Sequence, residues 1–79
     1  MKLPRDISGR ELIKRLKKLG YEPSRQTGSH IRLTTQVHGE HHVTVPNHDP
    51  LKIGTLSTIL NMVADHFQIS REDLLQQLQ

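Results

Sequence analysis

The spacing of the apolar residues changes twice along this chain, and this change restricts the fold more than any other feature. Residues 8–19 predict a helix, because apolar side chains recur at helical spacing at Leu12, Ile13, Leu16 and Leu19. Residues 29–35 and 40–45 alternate between apolar and polar side chains, which predicts two strands. Residues 21–26 predict a short first strand at a sheet edge, because Pro23 cannot donate to a ladder. Helical spacing returns near Gly54, and a third, short helix begins at Ser70.

These segments give the order α-β-β-β-α-α, which predicts an α+β fold. Its natural form is a three-stranded antiparallel sheet with helices on one face and the other face open. Ser8 and Glu11 form a capping box, Ile7 can pack on Leu12 as a hydrophobic staple, and Gly20 is placed to end the helix. We expect one domain, residues 1–79, because so short a chain buries only roughly 60% of its unfolded surface. Any active site should therefore be shallow and open.

Charge is distributed unevenly along the chain, whose formal net charge is +3. Residues 1–35 carry nine basic and three acidic side chains, whereas residues 36–79 carry two basic and five acidic ones. The basic half suits a polyanion, and the acidic half suits a protein partner. The alternative is a solvated surface whose asymmetry has no function.

Several classes of protein are excluded or disfavoured. The chain has no cysteine, so disulfides and thiolate chemistry are excluded and a reducing cytoplasm is compatible. No apolar run approaches the ~20 residues that a membrane span needs, and no signal peptide is visible. One Tyr and one Phe disfavour RNA readers built on aromatic stacking. Nucleophile-elbow, Walker and dinucleotide-binding motifs are absent.

The best candidate for chemistry is His30, which follows Gly28 and Ser29 at the start of the middle strand. If Ile31 faces the helices, then His30 and Arg32 lie on the open face, about 7 Å apart along the strand. An imidazole exchanges protons near neutral pH, and a guanidinium holds phosphate. Together they provide a base for a ribose 2′-OH and positive charge for a developing phosphorane. The alternative is an ordinary solvated pair.

The start of the second helix is a candidate anion site. Unpaired N–H groups there attract phosphate, and Lys52 adds charge beside Gly54 and Thr55. The alternative is an ordinary capped helix.

A histidine cluster raises the question of a zinc site, with members His38, His41, His42 and His48. His41 and His42 point to opposite faces of a strand, and no cysteine or well-placed carboxylate completes four ligands. Surface or loop histidines are the better interpretation. The pairing register is not set by the sequence, so His42 or Thr44 could lie beside Arg32.

Three stretches of the chain, in order, resemble the HicA (YcfA-like) toxin family of bacterial and archaeal toxin–antitoxin systems. They are TGSHIRL at residues 27–33, VTVPNH at residues 43–48 and LKIGTLSTIL at residues 51–60, within a resemblance that covers about residues 5–63. The ordered combination of G-S-H, V-P-x-H and G-T-L-x-x-I-L is fairly specific.

The resemblance implies a fold like that of a double-stranded-RNA-binding domain and ribosome-independent cleavage of mRNA in the cytoplasm. It maps the catalytic histidine onto His30 and the family's glycine onto Gly28, and we assign His48 no catalytic role. The residues themselves predict no metal or cofactor, because no carboxylate cluster is placed to hold magnesium and the histidines do not make a zinc site. It also implies a HicB-type antitoxin, which we expect to cover the open face around His30 and Arg32. The residues expected to contact RNA are Arg10, Lys14, Lys17, Gly28, Ser29, Arg32, Lys52 and Thr55.

Two alternatives and one open question remain at this point. The same fold could serve as a non-catalytic RNA-binding module, or as an adaptor whose open sheet binds protein. Residues 65–79 lie beyond the resemblance, so the role of the third helix is open. Its apolar face suits packing on the body of the domain or a partner surface, and consists of Leu74, Leu75 and Leu78.

Overall fold

The computed structural model describes residues 6–79, so the first five residues of the predicted domain lie outside the described range. The helices are α1 (Gly9–Leu16), continued by a 3₁₀ turn at Lys17–Leu19, α2 (Ile53–Phe67) and α3 (Arg71–Gln77). The strands are β1 (Glu22–Thr27), β2 (His30–Thr35) and β3 (His41–Pro46), and they form one antiparallel sheet in the order β1-β2-β3. The predicted α+β fold is confirmed. Within residues 6–79, no helix is both long enough and apolar enough to cross a bilayer.

The ends of α1 form largely as the sequence predicts. The Ser8 hydroxyl accepts a hydrogen bond from the Glu11 N–H at 3.0 Å, which satisfies one free donor of the first turn. The Glu11 carboxylate does not complete the capping box, because it lies 3.1 Å from Nε of Arg15. Gly20 ends the segment with a φ of 87°, a left-handed conformation that glycine adopts without steric cost.

The core lies between the sheet and the helices. Leu12 and Leu16 of α1, Leu33 of β2 and Val45 of β3 are fully buried. The predicted apolar stripe of α1 is therefore confirmed as its core face. Lys14 and Lys17 on the opposite side of α1 are exposed, as the helical period requires.

The third helix packs on the body of the domain, which answers the question that the sequence left open. Leu74 and Leu78 are fully buried, and Leu75 is half-buried. Arg15 of α1 donates to the Leu78 carbonyl at 3.0 Å, and the Lys18 ammonium donates to the Gln79 carbonyl. These cations satisfy free carbonyls at the end of α3 and interact favourably with its dipole.

Replacing Leu74 with Ala should lower the free energy of unfolding by about 2–5 kcal/mol, because it removes a fully buried leucine and leaves a cavity. Urea denaturation followed by circular dichroism measures the change. Leu75→Ala is the matched control and should cost less, because its side chain is half-buried. An equal or smaller loss at position 74 would contradict the packing of α3.

Candidate functional site

His30 lies at the end of the sheet that faces the starts of α1 and α2. The Gly28-Ser29 turn precedes it, and the Asn47 N–H donates to the Ser29 carbonyl at 2.6 Å, which ties the end of β3 to this turn. The Gly9 N–H donates to the His48 carbonyl at 2.8 Å, so α1 begins against the same loop. That approach requires glycine, because a Cβ at position 9 would collide with the Pro46 carbonyl oxygen.

An open groove of about 680 Å³ joins His30 to the start of α2. Its lining includes His30 and Thr44 from the sheet and Lys52, Gly54 and Thr55 from the start of α2. Two features that are separate in the sequence, the G-S-H motif and the start of α2, therefore form one site. The site is shallow and open, as the length of the chain predicts.

The start of α2 has the features of an anion site. Its N-cap residue, Lys52, makes no side-chain capping hydrogen bond, so no side chain satisfies the first N–H groups of the helix. Lys52, Ile53 and Gly54 are exposed, and Thr55 is half-buried. The free N–H groups, the helix dipole and the ammonium of Lys52 all favour a negative group at this point.

The open face of the sheet carries His30 and Arg32, and both side chains are exposed. In β2–β3 pairing, Arg32 lies opposite Thr44 and His30 lies opposite Pro46. Thr44, and not His42, is therefore the cross-strand neighbour of Arg32. His42 lies opposite Thr34, four residues along β2 from His30, a separation of about 13 Å in the strand direction.

His42 takes part in a hydrogen-bond chain across the open face. Its Nδ1 is 2.8 Å from the Thr34 hydroxyl, which is 2.8 Å from the Ser24 hydroxyl of β1. Its Nε2 is 2.8 Å from a Glu40 carboxylate oxygen. The ring is thus held at both nitrogens, at the end of the sheet away from His30.

His41 is half-buried in an aromatic cluster on the helix side of the sheet, so it is a strand residue and not a loop histidine. Its Nδ1 is hydrogen-bonded to the Tyr21 hydroxyl at 2.8 Å, and its ring stacks on His66 with centroids 4.3 Å apart. Burial, and then the nearby His66 and His42, lower the pKa of His41, while burial raises the pKa of Tyr21 to about 12. The tyrosine hydroxyl therefore keeps its proton at neutral pH. Within residues 6–79, no three or more His, Cys, Asp or Glu side chains are arranged to hold a metal ion.

The cations of α1 form a stripe that leads away from the His30 end. Arg10 lines a second groove of about 290 Å³ with Ile31, Gln26 and Asn47, close to the Gly28-Ser29 turn. Lys14 and Lys17 follow on the exposed side of α1 and its 3₁₀ turn, about 6 and 10 Å further along the axis. The groove of Arg10 shares no lining residue with the groove of His30, and Lys14 and Lys17 continue the positive surface along α1.

One basic residue on the open face was missed by the sequence patterns. Arg25 lies directly opposite Arg32 in the β1–β2 pairing, although alternation along residues 21–26 assigns it to the helix side. A register shift between Pro23 and Arg25 causes the difference. An irregular strand of this kind leaves no periodic signal in the sequence, so only the pairing register reveals the position of Arg25.

Comparison with known proteins identifies a family for this chain. Residues 9–63, more than half of the chain, match the family model described as the HicA toxin of bacterial toxin–antitoxin systems. The matched range contains α1, all three strands, His30 and the first part of α2, and it ends before α3. The comparison with curated proteins and the comparison with solved structures each returned no significant match. The extent of the family match shows that the chain belongs to the HicA toxin family of bacterial toxin–antitoxin systems.

Proposed function

We propose that this toxin is an endoribonuclease that cleaves mRNA in the cytoplasm without the ribosome, with His30 as its catalytic base. The observation that carries the proposal is the groove in which His30, Lys52 and Thr55 lie together. It combines a titratable ring with an uncapped helix start, and Arg32 is exposed on the same sheet face. A base beside two sources of positive charge is what transfer at a phosphodiester requires.

The reaction that suits these residues is attack by the substrate's own 2′-OH. Neutral His30 takes the hydroxyl proton as the 2′-oxygen bonds to phosphorus. Arg32 offsets the charge of the phosphorane, and the bond to the 5′-oxygen then breaks. The leaving oxygen takes a proton from water or from the imidazolium of His30. The products are a 2′,3′-cyclic phosphate and a 5′-hydroxyl. His42 also lines the groove of His30, but both of its ring nitrogens are engaged, by Thr34 and by Glu40.

The direct test is incubation of the purified protein with a transcript in the absence of ribosomes. We expect cleavage that yields cyclic-phosphate ends. Binding of RNA that weakens with salt, without any cleavage, would make the protein a binding module instead. Absence of salt-dependent RNA binding would favour a protein-binding adaptor.

The positive surface should bind RNA mainly through phosphates. Gly28 and Ser29 form the turn next to His30, where their backbone can approach the nucleic acid closely.

Replacing four cations together should reduce the slope of log affinity against log salt by up to roughly 3 units, since each phosphate contact contributes about 0.7–0.9. The four are Arg10, Lys14, Lys17 and Lys52. Filter binding at several salt concentrations measures the slope. Arg71→Ala is the control, because Arg71 bonds to Ser57 and Asn61 instead. An unchanged slope would move the RNA site elsewhere.

Family membership implies an antitoxin partner, and we propose a HicB-like protein that covers the open face around His30 and Arg32. Both side chains are exposed, so occlusion is the simplest inhibition, and an acidic partner would bind this face fast. Modification of His30 by diethyl pyrocarbonate, measured by mass spectrometry, should fall sharply in the complex. His38, at the other end of the sheet, is exposed and gives the internal control. Undiminished modification of His30 would require another mode of inhibition.

A further inference from the structure

The bulge at Ser24 turns Arg25 onto the open face of the sheet. Pro23 lies opposite Leu33, and the next pair is Arg25 with Arg32, so Ser24 is the extra residue of β1. The Ser24 hydroxyl donates to the Arg32 carbonyl at 3.2 Å and contacts the Thr34 hydroxyl at 2.8 Å. If pairing continued regularly from Pro23, Ser24 would lie opposite Arg32, and Arg25 would lie opposite Ile31 and point toward the helices. Bulges beside functional sites commonly redirect a side chain in this way.

The result is a pair of like charges on neighbouring strands. Directly opposed residues lie roughly 5 Å apart at Cα, and two cations in such a pair destabilise the sheet. Arg25 and Arg32 are both exposed. The ion pairs of residues 6–79 are Arg15 with Glu11 and His42 with Glu40, so no carboxylate of this part of the chain pairs with either arginine. A shared anion would convert this repulsion into attraction.

His30 lies close to the arginine pair. Thr27 is its partner in β1, so Arg25 is a diagonal neighbour of His30, and Arg32 lies about 7 Å away on the same strand. All three side chains point to the open face, because residues paired across antiparallel strands share a face. An extended arginine side chain spans these separations. Both guanidinium groups can therefore reach a phosphate positioned over the imidazole.

We propose that Arg25 and Arg32 together hold the scissile phosphate of the RNA, with Arg25 as a further catalytic residue. Each guanidinium donates hydrogen bonds to a non-bridging oxygen, and the charge that develops on these oxygens in the phosphorane strengthens both contacts. The inference rests on the proposed ribonuclease function, and it adds a residue that neither the sequence patterns nor the resemblance assigns. It also explains the bulge, which costs one unpaired residue in β1.

The test is a double-mutant cycle on cleavage, with Arg25→Gln, Arg32→Gln and the double variant. Each single change should lower kcat/KM roughly 10- to 100-fold, the range for one charge-assisted hydrogen bond. The double variant should lose much less than the product of the two factors, because both groups hold one phosphate. Arg25→Lys should recover part of the activity, since it keeps the charge and loses the fork. Arg71→Gln changes the same charge on α3 and should cleave like the wild type.

Two further measurements separate this proposal from its alternatives. At low salt, Arg25→Gln should melt no lower than the wild type, because it removes a repulsive pair. Lost activity together with a lower melting temperature would instead assign Arg25 a structural role. In Arg25→Gln, the affinity for an oligonucleotide with a 2′-deoxy sugar at the scissile position should also fall. The fold loss of affinity should not exceed the fold loss of kcat/KM.

The outcomes of these experiments test the shared phosphate site of Arg25 and Arg32 separately from the proposed ribonuclease activity. If the wild type fails to cleave RNA but Arg25→Gln still weakens oligonucleotide binding, the ribonuclease proposal fails and the phosphate site stands. If Arg25→Gln cleaves and binds RNA like Arg71→Gln, the proposal that Arg25 holds the scissile phosphate is wrong, while the proposed role of His30 is unaffected. Losses that multiply fully in the double variant would place the two arginines on different phosphates and overturn the shared site.

Discussion

Replacing His30 with Ala is expected to lower the rate of RNA cleavage by about 10²- to 10⁴-fold, the usual contribution of a positioned acid or base. The same change should abolish growth arrest when the toxin is produced in cells. The domain should stay folded, because the side chain is exposed and contributes nothing to the core. We expect a change in the free energy of unfolding within about 0.5 kcal/mol, as at most surface positions.

Single-turnover cleavage of a labelled transcript measures the first effect, and thermal melting measures the second. RNA binding should persist in the variant, since the surrounding cations are unchanged. His38→Asn is the matched control: it removes a histidine at the other end of the sheet, and asparagine tolerates the φ of 60° at that position. A His30→Ala protein that still cleaves RNA, or that is unfolded, would make the assignment of His30 wrong.

The elements of this fold are predictable because each has a local cause in the sequence. Ser8 and Ser70 cap α1 and α3 with side-chain acceptors, Gly20 supplies a left-handed residue, and the alternation in β2 separates buried Leu33 from exposed Arg32. The boundaries of the strands differ from the predicted ones by a single residue, since hydrogen bonding and not side-chain period determines where a strand ends.

The site was only partly predictable, because it depends on relations between elements. The G-S-H motif and the start of α2 are 22 residues apart in sequence, from His30 to Lys52, and the groove between them exists only once α2 packs under the sheet. The register that places Thr44 beside Arg32 is also a tertiary property. Arg25 was missed for the same reason. The extra residue in β1 moves the side chains that follow it to the opposite face of the sheet from the one that regular alternation predicts.

For the third helix, the sequence predicted the element but not the use of its apolar face. Its apolar face was evident in the sequence, but an apolar face fits a core and a partner equally well. The structure decides between these uses because Leu74 and Leu78 are fully buried and the end of α3 is bonded to Arg15 and Lys18. Lys18, which belongs to the basic side of the first helix, is thereby bonded to the backbone just after α3.

A substrate with a 2′-deoxy sugar at the scissile position should resist cleavage completely, while all-RNA substrate should be cut with undiminished activity in EDTA. The reason is the proposed nucleophile. In the proposed steps the attacking oxygen is activated by the His30 side chain. The 2′-OH is the hydroxyl nearest to phosphorus, and one base within about 2.6–3.2 Å of it is sufficient. Removing that hydroxyl removes the nucleophile while the phosphate contacts remain.

The two substrates should therefore bind with similar affinity and differ in cleavage alone, which a binding assay and a cleavage assay on the same oligonucleotides will separate. A second oligonucleotide, with the deoxy sugar one position away, is the matched control and should be cut normally if the protein acts at a single defined bond. Cutting at the deoxy position would exclude attack by the 2′-OH. Loss of activity in EDTA that a divalent cation restores would favour a metal-activated water, and then His30 would have to act on that water or on the leaving oxygen.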